Sequence, residues 1–294
     1  MIGEAMAVVQ QRGGDWLRQA IAGNEALQPH ELATATDTGL HGPDSIVWRV
    51  HGDAAMLIGG LRALLLQTLH PLAMAGVGDH SDYRRDPWGR LHRTGRFIAA
   101  TTYGTTATAE QSIARVRSIH ERVEGVAPDG RRYRATDPHL LLWVHLTEVD
   151  SFLRAYDRFG NGKLRDSERD QYVAEMAEVA RRLGAQEPPT TVAELETALE
   201  AFGPECHAGP EAREAVRFLL VPPVSIWVRG SYGIITAAAV TLLPGWARRQ
   251  LWLPVPPLVE PLAVRPAALV LSRSIGWLMN ARSNRTLIDD QLMV

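Results

Sequence analysis

Cysteine occurs once, at Cys206, which excludes an intrachain disulfide and any structural zinc site built on paired thiolates. Lysine also occurs once, at Lys163, so 30 of the 31 Lys and Arg side chains are arginines. That bias reads as GC-rich coding, and one arginine alone therefore says little about anion binding. A net charge of -2 supplies no basic surface for a polyanion, and nucleic acid is set aside. The first residues, Met1 to Ala5, lack the basic start and apolar core of a secretory signal, so a cytoplasmic location is the expectation. The longest apolar run, Met56 to Val77, is interrupted by Arg62, Gln67 and His70. Each is costly at a bilayer centre, so the run is expected as a buried helix, with peripheral membrane contact left open.

Several reaction signatures are missing as well. Helical di-iron proteins repeat Glu-x-x-His, and the chain has no such spacing. His145-x-x-Glu148 is the reverse order, and Glu148 reads as a helix-surface charge. No Gly-x-Ser-x-Gly elbow and no Walker or Rossmann glycine loop is found. Cys206 and His207 are adjacent, a spacing that seldom lets nucleophile and base face each other.

What the chain does contain is helix pattern almost throughout. Residues 1–44 read as an N-terminal arm with one helix over 16–27, residues 45–250 as a single catalytic domain, and 251–294 as a Pro-rich segment and helix packed on that domain. Pro71 ends or kinks the apolar helix that starts near Met56, because proline lacks an amide hydrogen and disfavours helix in the residue before it. Gly59-Gly60 permits close approach of either a flat cofactor or another helix. Ala109, Ile113, Val116, His120 and Val123 form one helical stripe, which Gly125 is expected to close. Asp129-Gly130 signals a turn. Asp137-Pro138 signals a helix start whose apolar stripe carries His145. Ser167 with Asp170, and Thr191 with Glu194, are expected as capping pairs. Five prolines between 254 and 266 force an extended connection before a last helix over 267–279. The expected class is all-α, a single-domain helical bundle.

The densest chemistry lies between Asp86 and Gly125. Arg90, Arg93 and Thr94 share a helix face, His92 points elsewhere, and His120 follows on its apolar stripe with Arg117 one turn before it. A haem needs a neutral imidazole at the iron, an apolar slot and cations for two propionates. Arg62, Arg90, Arg93 and Arg117 are available for the last role, since a guanidinium fork binds carboxylates bidentately. The bland reading is as strong: a buried arginine paired with Asp79, Asp82, Asp86 or Glu121, and histidines satisfied in the core.

Gly59-Gly60-Leu61-Arg62-Ala63-Leu64-Leu65-Leu66-Gln67, His70-Pro71, His80-Ser81, Asp86-Pro87, Gly89-Arg90-Leu91, Arg93-Thr94, His120-x-x-Val123-x-Gly125, Asp137-Pro138 and Trp143-Val144-His145 together resemble the rubber oxygenase, or latex clearing protein, catalytic-domain family. That family includes an oxygenase-like protein of mycophenolic acid biosynthesis. The resemblance implies a globin-like core, one haem b with its iron on His120, and dioxygen as co-substrate. Arg90, Arg93 and Thr94 match the family's Arg-x-x-Lys-Thr segment on the other side of the haem. Arg93 stands where the family has lysine, and a permanently charged guanidinium is a poor iron ligand. The expectation is therefore no protein ligand opposite His120, with Arg93, Thr94 and His92 polarising bound oxygen. Without an export signal the small-molecule substrate is expected to be lipophilic or metabolite-like rather than rubber. A haem-free isomerase or cyclase using His120, His145 or Glu148, a non-catalytic haem or lipid binder, and a homo-oligomer stay open.

Overall fold

The computed structural model describes residues 10, 12, 26–81, 85–222 and 226–279. The helix expected over 16–27 falls almost wholly outside them. Residues 28–40 strap the body near Gly104. The Thr105 amide donates to the Glu31 carbonyl, and the Asp37 carboxylate accepts from the amide and hydroxyl of Thr106.

Helix α1 (Ile46–His51) starts where the Ser45 hydroxyl accepts from the Trp48 amide, and it buries Ile46, Val47 and Val50. Helix α2 (Met56–Gln67) is apolar on nearly every face because it runs through the core, where Leu65, Leu66 and Ile58 are essentially inaccessible. At about 1.5–3 kcal/mol for each fully buried aliphatic side chain, this helix is a main anchor of the fold. Pro71 breaks the run as expected, and α3 (Pro71–His80) leaves at 103°.

Asp86 caps α4 (Pro87–Tyr103) and Thr105 caps α5 (Thr106–His120), and the two helices pack as a hairpin about Gly104. Helix α5 ends at His120, earlier than the expected stop at Gly125. Gly125 instead lies in β1 (Glu124–Val126), which pairs antiparallel with β2 (Arg132–Arg134) in the register Gly125↔Tyr133. A Cβ at Gly125 would come 2.8 Å from the Tyr133 ring, so glycine is required by ring contact rather than by helix termination. The Asp129-Gly130 turn is present, with Gly130 at φ +86°.

Asp137 caps α6 (Pro138–Phe159), the central helix, which lies along α2. The two approach closely at Gly59, where a Cβ would meet the Phe152 Cα and the Ser151 carbonyl oxygen at 3.0 Å each. Gly59 therefore serves helix crossing, the second of its two sequence readings. In α7 (Asp166–Leu183) the box is made by Glu168 reaching back to the Arg165 amide, two residues earlier than the expected Ser167/Asp170 pair. Asp170 instead accepts from Val192 at the start of α8 (Val192–Ala201), whose Thr191/Glu194 box forms as expected.

A short 3₁₀ turn, Gly203–Glu205, leads to α9 (Pro210–Leu220), α10 (Ile226–Leu242) and α11 (Gly245–Gln250). The expected extended connection holds only through Pro254, Pro256 and Pro257: Pro261 lies in a π turn at Glu260–Val264 and Pro266 in the first turn of α12 (Arg265–Met279), where a missing amide hydrogen costs no helix bond, and α12 packs on α10 and α6. Among the described residues the only sheet is the β1–β2 pair, and the class is all-α. One stretch, Glu260–Met279, is long and apolar enough to cross a membrane by length and composition.

Candidate functional site

The α4–α5 hairpin sets the level of the side chains singled out in the sequence. Arg90 lies 13 residues before Tyr103 and His120 lies 14 after Thr106, so at 1.5 Å per residue both sit roughly 20 Å from the turn. Arg93 and Thr94 fall about one turn closer to it. His120, the last residue of α5, is half-buried, and among the described residues no charged neighbour shifts it. Burial alone holds its imidazolium below the ordinary histidine range, so the ring is neutral near pH 7 with a nitrogen lone pair to offer. Val116 and Ile113 share its side of α5, and Ile113 is buried.

The other residues of this group are less gathered. Arg90 donates to the Ser81 hydroxyl at 3.0 Å. Arg93 reaches the Asp86 carboxylate at 3.3 Å with both side chains about half exposed, and that carboxylate also caps α4 through the Gly89 amide. Thr94 is exposed and His92 half-buried. Arg117 opens on a cleft of about 420 Å³ between α5 and α7 that also holds Glu110, Ser118, Glu121 and Arg182; His120 is not in its lining.

Arg62, expected as a propionate partner, is instead engaged inside the core. It is 1% exposed, and its guanidinium is fully engaged on α6 and α10. It donates to Asp150 at 2.7 Å, to the Ser151 hydroxyl at 2.6 Å and to the Leu242 carbonyl at 2.9 Å. Arg62 is a paired buried arginine, and its carboxylate is Asp150 rather than Asp79, Asp82, Asp86 or Glu121. Asp79 accepts from the Tyr133 hydroxyl, Asp86 is the helix cap, and Asp82 lies outside the described residues. Asp150 was missed because it sits on another helix 88 positions away, beyond any local spacing rule.

Helices α6 and α7 carry a second polar interior. His51 is satisfied between Thr102 at 2.8 Å and Tyr172 at 3.2 Å, and burial pushes its pKa down to about 3. His145 is buried with its Nε2 unpartnered and its pKa lowered to about 4, chiefly by desolvation. Glu148 is not the surface charge its spacing suggested. Desolvation raises its pKa to about 7, so the carboxyl holds its proton into the neutral range. Cys206 is buried and its thiol is pushed up to about 12, which removes it as a nucleophile.

A third grouping had no sequence signal beyond the helix break. His70, fully buried at the α2–α3 corner, lies beside Glu205, and His139 of α6 reaches the same carboxylate.

For the haem that the residue pattern suggests, His120 fits as an imidazole donor with no side-chain hydrogen bond among the described residues, and Arg90 fits as a cation at its level. Arg62 does not fit, and Arg117 belongs to the outer cleft. No curated protein and no solved structure matches the chain. Residues 48–273 match the family described as ER-bound oxygenase mpaB/B'/Rubber oxygenase, catalytic domain, and the chain therefore belongs to that oxygenase family.

Proposed function

We propose that the protein is a haem b-dependent oxygenase acting on a small lipophilic molecule, with His120 as the iron ligand. The observation that carries this reading is the state of His120: desolvated at the end of α5 and shifted by no charged group among the described residues, in a chain of an oxygenase family. Haem bound there would supply an iron centre able to activate dioxygen. His120 would hold the iron, and Arg90, level with it on α4, could meet a propionate by a charge-assisted fork. Arg93 and Thr94, one turn along α4, would supply polar groups to the small-molecule site, with His92 on another face of the same helix. Swinging Arg93 inward costs only an exposed pair with Asp86, worth about 0–1 kcal/mol. The apolar α2 and α6 side chains exclude water from the interior, and Glu148, half-buried and proton-bearing to about pH 7, is a group able to give or take a proton.

The test is the absorption spectrum of protein produced with ample haem, with a pyridine haemochrome assay and His120→Ala beside it. A Soret band lost in His120→Ala is the expected result. Absence of the band in folded protein offered haemin overturns the reading. In that case the half-buried acid Glu148 favours a non-redox isomerase or cyclase, in which activity survives His120→Ala and disappears in Glu148→Gln.

A further inference from the structure

We infer that His70, His139 and Glu205 form a binding site for one zinc-class divalent metal ion, separate from the His120 region. Donor atoms of these three side chains lie within 4.8 Å of one another. The His70 Nε2 to Glu205 Oε2 distance is 3.4 Å, and His139 Nε2 stands 2.9 Å and 3.1 Å from the two Glu205 oxygens. Ligands about 2.1 Å from a tetrahedral ion lie roughly 3.4 Å apart, so the first separation already suits coordination. The second needs His139, half-exposed and able to turn, to move outward by a few tenths of an ångström.

The independent sign of a missing ligand is His70 itself. Its ring is 0% exposed, and its Nε2, aimed at Glu205, makes no well-formed hydrogen bond. A buried polar atom left in that state is costly, and a metal ion would satisfy it. Burial keeps His70 neutral by lowering its pKa, against the opposing pull of Glu205. Coordination through Nε2 moves the proton to Nδ1 and gives up the cap on the Ala73 amide, a contact already at the long limit of 3.5 Å.

The surroundings hold the three groups in place. Pro71 and Pro138 each start a helix beside a ligand, so His70 is fixed at a corner and His139 in the first turn of α6. Phe202 stacks on His139 at 4.3 Å and packs against Trp143, forming an apolar wall. The loop after Glu205 is pinned by the His207 amide on the Leu69 carbonyl and by Gln250, which bonds the Cys206 carbonyl and the Ala208 amide. The nearby Arg131 is neutralised by Asp129 at 2.7 Å. Two imidazoles and one carboxylate leave a fourth position toward solvent, the donor set of an open zinc site.

The experiment is calorimetric titration of the untagged, chelator-stripped full chain with Zn²⁺, with Co²⁺ absorption as a second readout. One Zn²⁺ per chain and visible tetrahedral Co²⁺ bands are expected. His139→Ala and Glu205→Gln, both at half-exposed positions, are each expected to weaken binding at least about tenfold while keeping the wild-type circular dichroism. His30→Ala and His120→Ala are expected to bind Zn²⁺ as the parent does, so failure of the haem reading leaves this result untouched. No Zn²⁺ uptake, or equal uptake in His139→Ala and Glu205→Gln, overturns the site and leaves the three residues as a histidine–carboxylate hydrogen-bond cluster.

Discussion

Asp150→Asn isolates the role of Arg62. The carboxylate accepts from Arg62 at 2.7 Å and from Arg154 at 2.6 Å, and Arg62 is 1% exposed. Removing the charge of Asp150 leaves a buried guanidinium whose remaining partners, the Ser151 hydroxyl and the Leu242 carbonyl, are both neutral. Breaking a buried pair from one side costs about 3–5 kcal/mol. The exposed Arg154 contributes only about 0.3–0.5 kcal/mol of its own as an i,i+4 pair. The expected loss is therefore roughly 3–5 kcal/mol, read as a fall in the urea midpoint at unchanged slope. Arg62→Met combined with Asp150→Leu replaces the pair by apolar volume and is expected to recover most of that loss. Haem uptake, where measured, should follow stability and not Arg62 as such. The reasoning is refuted if Asp150→Asn stays within about 1 kcal/mol of the parent, or if Arg62→Met keeps its stability and selectively loses haem.

Two further outcomes follow from the same interior. Glu148 has a folded pKa of about 7 against an ordinary 4.5, so its contribution is fully present below the unfolded value and is lost as pH rises through the folded one. That difference corresponds to roughly 3 kcal/mol, and Glu148→Gln should be the more stable protein at pH 8 and lose that advantage near pH 4, by denaturant titration at each pH. At Gly59 an added Cβ meets backbone atoms of Phe152 and Ser151, which cannot swing aside. Gly59→Ala is accordingly expected to destabilise by about 1–3 kcal/mol despite alanine's better helix propensity, and a rise in the thermal midpoint would contradict the close crossing of α2 and α6.

Local rules of the chain settled much of the architecture. Pro71 cannot continue a helix, Asp137 and Thr191 offer side-chain caps, and glycine at 130 admits the positive φ of a turn, so these boundaries follow from one or two neighbouring residues. Periodicity likewise put His120 and His145 on inward faces. Tertiary packing decided the partners. Arg62 found Asp150, Asp170 found the start of α8, Gly125 found Tyr133, and Glu148 was desolvated by the packing around it. His70, His139 and Glu205 lie 69 and 66 positions apart along the chain, and only the corner at Pro71, the start of α6 and the loop after α8 bring them together. Spacing rules reach one or two helical turns, whereas charge pairing, desolvation and ligand geometry depend on distances that only the folded chain defines.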